Sequence, residues 1–429
     1  MAEVRPRSPF SSWFVSTARY AVLSVSGWGV GVRRSFEFLL RPTVGQEQSL
    51  REMLRDHCSL YNGALENRRN SWRDRRISVS YGVQSAQLSA IRAFDPEHQG
   101  RWSFSSQQAT LRRLDKAFAG FFRRVKAGET PGYPRFKAIG VFDTVTWPSD
   151  GDGCRWDSTP GQGVTRVRLQ GVGHVRVHQH RAVLGRVKTV SVKREGRRWY
   201  VILSCDDIPV EPLPATGAVV GIDMGVASLL TTSDGRQVEN PRRGRAAAGK
   251  LAAAQQALSR CARGSNRRAK ARERVASAHR KVRRQRLDHA HKTALDLVRG
   301  YDVIAHEDLR IANMVRAPKP KPDPESPHVF LPNGSAAKAR LHHSIHDAGW
   351  GVFLSILAAK AESAGRTVVA VDPRNTSRTC PECGHVAKEN RVAQAKFYCS
   401  GCGHTAHADI VGAINVLRAG LARREATQA

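Results

Sequence analysis

Hydrophobic residues recur at two different intervals along the chain, and the interval predicts where helices and strands lie. Between residues 44 and 72 they recur every three or four positions, at Leu50, Leu54, Cys58, Tyr61 and Leu65. This spacing places them on one face of a helix. A second stretch, 106–128, has the same helical spacing at Leu111, Leu114, Phe118 and Phe121. The glycines and prolines of 128–134 end it.

Residues 134–212 change to alternating hydrophobic and polar positions, which is typical of β-strands. Short alternating runs such as VTRVRLQ, HVRVHQH, TVSVKRE and RRWYVILSCD are separated by glycine-containing turns. Strands of this length and spacing predict a small barrel or sandwich. The segment EPLPATG, residues 211–217, reads as a linker, after which the pattern changes again.

The remainder of the chain alternates strands with helices, as α/β domains do. The predicted order is two strands within 218–235, a long helical pair at 244–299, a strand at 301–309, a loop with six prolines at 317–334, a helix at 337–364, a strand at 367–371, a cysteine module, and a final helix at 409–422. This order matches an RNase H-like fold.

Composition narrows the class of function. The 429 residues include 69 Lys and Arg against 37 Asp and Glu, which gives a net charge of +32. An excess of positive charge this large is typical of a protein that binds a polyanion. Hydrophobic residues make up 41%, enough for a folded core. Uninterrupted apolar runs of membrane-spanning length are absent from the sequence. We therefore expect nucleic acid, and no membrane, as the partner.

Four of the eight cysteines form a module with metal-binding spacing. Cys380-Pro-Glu-Cys383 and Cys399-Ser-Gly-Cys402 are each followed by glycine and lie 15 residues apart. Two such turns complete a tetrahedral Cys₄ zinc site, and its four thiolates leave no position open for water. The site is therefore predicted to be structural rather than catalytic or redox-active. His385 and His404 lie beside the turns and are expected to face solvent or DNA. Cysteine used for metal rather than disulfides indicates a reducing, cytoplasmic location.

Three acidic residues lie where strands and a helix begin or end. Asp223 interrupts the apolar strand VVGIDMG, Glu307 ends the strand VIAHE, and Asp409 starts the final helix. An unpaired carboxylate among apolar residues is costly to bury, so Asp223 is expected to bind something. Asp409 taken alone fits a helix N-cap equally well, and the three acids together favour the catalytic interpretation. Together they would hold two Mg²⁺ ions about 4 Å apart, as nucleases that hydrolyse phosphodiesters do. Asp308 and Asp372 are nearby acids without this predicted role.

The helical pair carries the densest positive charge. Residues 260–292 contain 13 Lys and Arg against two acids. We predict that these helices contact a nucleic-acid backbone. The candidate contacts are Arg267, Arg268, Lys270, Arg272, Arg274, Arg280, Lys281, Arg283, Arg284 and Arg286.

Taken in order, these segments resemble the OrfB/TnpB family of transposon-encoded RNA-guided DNA endonucleases, relatives of the compact type V CRISPR effectors. The matching segments cover roughly residues 33–420 and include FEFLLRPTVGQ, CSLYNGAL, GYPRFKA, GIDMGVASLLTTSDG, IAHEDLRIANM, NTSRTCPECGH and CSGCGHTAHADIVGAINVLRAG. Two positions depart from the family pattern: Val411 and His407 stand where members usually carry Asn and an acid.

The resemblance implies a bilobed α/β plus β architecture. Residues 33–45 would be the first strand of a wedge β-barrel, 46–130 an inserted helical recognition domain, and 131–212 the rest of the barrel. Residues 217–429 would form a RuvC-like nuclease domain with a zinc ribbon at 378–404. Residues 1–32 have no counterpart, so Val32 is expected to mark the true translation start.

The resemblance also implies function. Asp223, Glu307 and Asp409 fall on the three catalytic acids, with Mg²⁺ and a guide RNA as cofactors, Zn²⁺ in the ribbon, and double-stranded DNA as the target. The enzyme would act in the bacterial cytoplasm, associated with the nucleoid when bound to DNA. A transposase or recombinase of the same mobile element is a candidate partner.

Four other functions fit parts of the sequence. A compact CRISPR effector would use the same chemistry, whereas a domesticated guided repressor would not need three acids. A general nuclease without RNA would leave the basic N-terminal half without a purpose. A self-sufficient transposase would need a metal-binding His pair, and His178-Gln179-His180 is a poor candidate because Gln179 replaces a hydrophobic residue and no matching tyrosine-bearing helix is predicted.

Overall fold

The computed structural model describes residues 32–326 and 328–428, which divide into two compact units. The N-terminal unit ends at Val210 and the C-terminal unit begins at Glu211. The prediction for an N-terminal extension lies outside the described residues except for Val32, the first residue of the first strand. None of the helices in these ranges is long and apolar enough to cross a membrane.

The N-terminal unit combines four helices with one seven-stranded sheet. Its elements are β1 (Val32–Arg41), α1 (Val44–Arg75), α2 (Tyr81–Ala86), α3 (Leu88–Phe94), α4 (Phe104–Lys126), β2 (Thr144–Trp147), β3 (Cys154–Arg155), β4 (Arg166–Leu169), β5 (Gly173–His178), β6 (Arg186–Glu195) and β7 (Arg198–Ile208). The strand order is β2-β6-β7-β1-β5-β4-β3, and every neighbouring pair is antiparallel.

Local sequence explains where these elements begin and which faces they bury. Thr43 caps α1 through a capping box with Gln46, and Ser103 caps α4. In β1, Phe36, Phe38 and Leu40 are buried because alternate residues of a strand point to the same face. They join a core with residues of α1 and α4, in agreement with the predicted helices and strands.

The C-terminal unit is an α/β domain. Its elements are β8 (Val219–Met224), β9 (Ser228–Thr232), β10 (Gln237–Glu239), α5 (Arg243–Ser259), α6 (Asn266–Gly300), β11 (Val303–Glu307), α7 (Ile311–Met314), β12 (Lys321–Pro322), β13 (Phe330–Leu331), α8 (Ser335–Ala348), α9 (Trp350–Ser363), β14 (Thr367–Val371), β15 (Lys396–Tyr398), β16 (Thr405–His407) and α10 (Ala408–Gln428). The main sheet has the order β10-β9-β8-β11-β14. The pairs β10–β9 and β9–β8 are antiparallel, and the pairs β8–β11 and β11–β14 are parallel.

One predicted helix is two. The apolar run at 337–364 suggested a single helix, but Gly349 adopts a left-handed conformation (φ 73°) that ends α8 and starts α9. Glycine takes this conformation without the steric penalty that a Cβ would bring. The break matters for the site because it begins α9 at Trp350, whose indole N–H donates to the carbonyl oxygen of Gly225 at 3.0 Å.

Helices cover both faces of the main sheet. Val220, Ile222 and Ile304 pack against α6 and α9, whereas Ala305 and Val371 pack against Val416 of α10. The approach of α10 to β8 is unusually close at Gly221, where an added Cβ would lie 2.1 Å from the carbonyl oxygen of Ala413. Backbone on both sides leaves no flexible group to move aside.

Gly221→Ala is therefore expected to destabilise the C-terminal unit by about 1–3 kcal/mol, the usual cost of overpacking a tight core. Gly249→Ala is the matched control, because Gly249 lies in the exposed middle of α5 with nothing within 4 Å of an added Cβ. Alanine favours helix by about 1 kcal/mol over glycine, so the control should be neutral or stabilising. Thermal unfolding measures both, and equal melting temperatures for the two variants would contradict the packing argument.

Candidate active site and zinc site

The folded sheet brings Asp223, Glu307 and Asp409 to one place. Asp223 lies two residues after Gly221 in β8, and Glu307 lies two residues after Ala305 in β11, so both point to the face that α10 covers. The parallel register pairs the residues just before them, Ile222 and His306. Asp409 lies in the first turn of α10, and three residues further an added Cβ at Gly412 would lie 3.2 Å from Asp223 Oδ2.

The three carboxylates line a pocket of about 450 Å³ within the C-terminal unit. The same pocket is lined by Trp350, Thr376 and Arg391. Burial, together with the negative charges of Glu307 and Asp409, raises the pKa of Asp223 to about 8. Burial also raises the pKa of Glu307, although a hydrogen bond from Thr376 and the charge of Arg391 act against it. The pocket thus concentrates carboxylates that need positive charge to ionise together.

This donor set fits Mg²⁺. Carboxylate oxygens are the ligands that Mg²⁺ prefers, and a cation between buried carboxylates removes the repulsion that raises their pKa values. Among the described residues, the ligand atoms that all lie within 4.8 Å of one another belong to four cysteines, not to these three acids.

Arg391 is a site residue that the sequence analysis missed. Its Nη2 lies 3.4 Å from Asp409 Oδ1, and its positive charge acts on both Asp223 and Glu307. The preceding residue, Asn390, is fully buried and donates to the carbonyl oxygens of Arg378 and His385. Arg391 is therefore fixed by the cysteine module although it acts at the carboxylates. An arginine among 69 basic residues carries no sequence signal that would single it out.

Thr376 is a second missed residue. Its hydroxyl donates to Glu307 Oε1 at 2.6 Å, a length typical of a hydrogen bond to a carboxylate. The two residues are 69 positions apart along the chain, so local pattern analysis could not detect this contact.

The four predicted cysteines converge. The Sγ atoms of Cys380 and Cys402 are 3.7 Å apart, and those of Cys383 and Cys399 are 3.5 Å apart. A tetrahedral zinc site with Zn–S bonds of about 2.3 Å has Sγ–Sγ distances of roughly 3.8 Å, whereas a disulfide is about 2.05 Å long. The cluster therefore has the dimensions of a Cys₄ zinc site. His385 and His404 are not among its ligand atoms.

The basic residues of α6 divide into two groups. Arg268 donates to the carbonyl oxygens of Leu258 and Cys261 at the end of α5, and Arg280 pairs with Glu273. Arg286 binds the buried Asp347, whose carboxylate also accepts hydrogen bonds from backbone N–H groups in the first turn of α5. Arg268 and Arg286 therefore hold helices together, a role that the predicted nucleic-acid contact did not include, whereas the Arg280–Glu273 pair lies within α6. The other seven are exposed: Arg267, Lys270, Arg272, Arg274, Lys281, Arg283 and Arg284.

Known proteins with similar sequences decide the family. The OrfB_IS605 model, described as a probable transposase, matches residues 190–317, and the Cas12f1-like TNB domain model matches residues 350–416. The chain is 33% identical over 390 residues to "Putative RNA-guided DNA endonuclease InsQ" of Escherichia coli K12, covering 90% of this chain and 92% of that protein. The chain belongs to the OrfB/TnpB family. The family predicted from the sequence motifs is thus confirmed.

Other members and a solved structure agree. A protein of Streptomyces pristinaespiralis with the name "Putative RNA-guided DNA endonuclease" is 32% identical over 402 residues, covering 91% of this chain and 90% of that one. A structure titled as a Cas12f1–sgRNA–target DNA complex matches with a TM-score of 0.51 and 13% identity, covering 87% of this chain and 82% of that chain. At that identity the likeness shows a shared mixed α/β fold.

Proposed function

We propose that this family member is an RNA-guided DNA endonuclease that hydrolyses target DNA at Asp223, Glu307 and Asp409. The observation that carries the proposal is the convergence of these three carboxylates, from segments up to 186 residues apart, on one pocket. The sheet that carries two of them has the strand order of an RNase H-like sheet. Strands β8, β9 and β10 are paired antiparallel, and β11 and β14 run parallel to β8. The relatives' names assign them RNA-guided cleavage of DNA.

The residues of the pocket would hold the metal and the scissile phosphate. Mg²⁺ held by the three carboxylates would activate a water molecule and stabilise the leaving 3′ oxygen, giving 5′-phosphate and 3′-hydroxyl ends. Asp223 and Glu307 would hold the metal from neighbouring strands, and Asp409 would hold it from α10. Arg391 is placed to bind a non-bridging phosphate oxygen, since its guanidinium lines the same pocket.

The rest of the chain would bind nucleic acid. The helices within 46–130 form the recognition domain, and the sheet of 33–45 and 131–212 forms the wedge, which together bind the guide RNA and a short motif beside the target. The seven exposed basic residues of α6 contact the backbone of the guide–target duplex, as their sequence-independent charge suits. The zinc ribbon at 378–404 is structural and carries Arg391 to the pocket.

Sequencing the RNA that copurifies with the protein, expressed with its native flanking DNA, tests the guided part of the proposal. One discrete species is expected, with a constant scaffold encoded by the element and a tail that continues into the flanking DNA. An RNA that carries a CRISPR repeat would instead place the protein among CRISPR effectors. Only heterogeneous cellular RNA would contradict guided cleavage.

A further inference from the structure

The turn after β14 holds a threonine against the pocket. Thr376 is 7% exposed and lies in the turn formed by residues 374–378, between β14 and the first zinc-ligand turn. Its hydroxyl is 2.6 Å from Glu307 Oε1 and 3.1 Å from the carbonyl oxygen of Pro373. A hydroxyl has one proton to donate. It donates to the Glu307 carboxylate, because that contact is the shorter one and a carboxylate is a stronger acceptor than the carbonyl of Pro373. The hydroxyl therefore fixes one oxygen of Glu307.

The same turn is fixed from the other side by α10. Asn415 is 9% exposed, and its Nδ2 donates to the carbonyl oxygen of Thr376 at 2.8 Å and to that of Thr379 at 2.7 Å. An amide nitrogen has two protons, so both are used on this turn. Helix α10 also carries Asp409. One helix therefore presents one carboxylate directly and orients a second through Thr376.

In this arrangement only one of the two carboxylate oxygens of Glu307 accepts a hydrogen bond from the described residues. Within the residues that the structure describes, Oε1 accepts a hydrogen bond from Thr376, while Oε2 accepts none. Glu307 and Thr376 both line the pocket that contains Asp223 and Asp409. A glutamate side chain has three rotatable bonds, and binding one oxygen removes most of its freedom. The second oxygen accepts no hydrogen bond from the described residues and is therefore available to a metal ion.

We propose that Thr376 is a positioning residue that orients Glu307 for metal binding, and that Asn415 acts through Thr376. The inference rests on the proposed nuclease function and adds two residues to its site. Neither residue touches the reacting phosphate in this scheme. Partners that orient metal ligands commonly change metal affinity or activity by about 10–100-fold when they are removed.

Thr376→Val tests the hydroxyl, because valine keeps the branched shape and loses the donor. Thr376→Ser is the matched control, because serine keeps the donor and loses only a methyl group. Titration calorimetry with Mn²⁺ on the full-length protein measures metal binding directly, with Asp223→Asn as the blank for unrelated sites. We expect Thr376→Val to weaken Mn²⁺ binding by about 10-fold and Thr376→Ser to stay within about threefold of the wild type.

Cleavage gives the second readout. Thr376→Val should lower kcat on guided DNA by about 10–100-fold without changing target affinity. Thr376→Ser should keep kcat close to that of the wild type. Asn415→Leu should weaken Mn²⁺ binding in the native background and have little further effect in Thr376→Val, because the two residues act in series. Should Thr376→Val fail to fold, Thr376→Ala removes the same hydroxyl with less side-chain volume.

Two outcomes would overturn the inference. Wild-type Mn²⁺ affinity and kcat in Thr376→Val would show that the hydroxyl does not orient Glu307. Equal losses in Thr376→Val and Thr376→Ser would show that the hydroxyl alone does not preserve the site, and would assign the effect to packing. Failure of the proposed function looks different: the wild type itself would not cut guided DNA, or Asp223→Asn would cut as fast as the wild type.

Discussion

Replacement of Asp223 by Asn is expected to lower the rate of DNA cleavage by about 10³-fold or more, because removing a ligand charge from a metal site costs several kcal/mol of transition-state stabilisation. The amide keeps the shape of the carboxylate in its buried position next to Gly412. Binding of guide RNA and target DNA should be nearly unchanged. Single-turnover cleavage and a gel-shift titration on the same preparations separate the two effects.

Asp372→Asn is the matched control for this substitution. Asp372 follows β14, lies outside the pocket and pairs with Arg374 on the surface, so its loss should leave the cleavage rate within about twofold of the wild type. Glu307→Gln should behave like Asp223→Asn. Cleavage at the wild-type rate by either active-site variant would show that the carboxylate assignment is wrong.

The double substitution Cys383→Ser/Cys402→Ser should reduce bound zinc from about one ion per chain to nearly none, because two of four thiolates are lost. These two cysteines are exposed, whereas Cys380 and Cys399 are buried, so the change removes ligands with little loss of core packing. Cleavage should also fall sharply, since Arg391 is held by the cysteine module and the module leads directly into α10. Metal analysis and thermal unfolding measure the first effect.

Cys261→Ser provides the comparison. Cys261 lies at the end of α5, outside the cluster, and its thiol donates to the carbonyl oxygen of Ala257. This variant should retain zinc, the melting temperature and cleavage. Undiminished zinc in the Cys383→Ser/Cys402→Ser protein would reject the Cys₄ site.

The sequence predicted those features that depend on local pattern. The alternation in β1 and in the strands of residues 164–206, the helical spacing in α1, and the paired Cys-x-x-Cys turns all have short periods that one segment displays by itself. Asp223 and Glu307 were found for the same reason, since each is an acid in an otherwise apolar strand. Asp409 was grouped with them because it starts the final helix in the element order of an RNase H-like fold, and the family resemblance agreed.

What the sequence did not predict depends on contacts between distant segments. Arg391 and Thr376 reach the carboxylates only because the turn after β14 and the cysteine module fold back beside β11 and α10. Composition made all of α6 appear to be a nucleic-acid surface, although Arg268 and Arg286 bind other helices. The break at Gly349 also required the folded context, because a glycine within an apolar run does not by itself end a helix.

The measurement that tests the central claim most directly is cleavage after the guide is changed. The purified protein, loaded with its own RNA scaffold and a new guide sequence, is given two DNA molecules that differ only in which guide they match, with Mg²⁺ present. Guided hydrolysis at the carboxylate pocket predicts cutting of the newly matched DNA alone, and none by Asp223→Asn. Equal cutting of both molecules, or cutting that survives in Asp223→Asn, would contradict it.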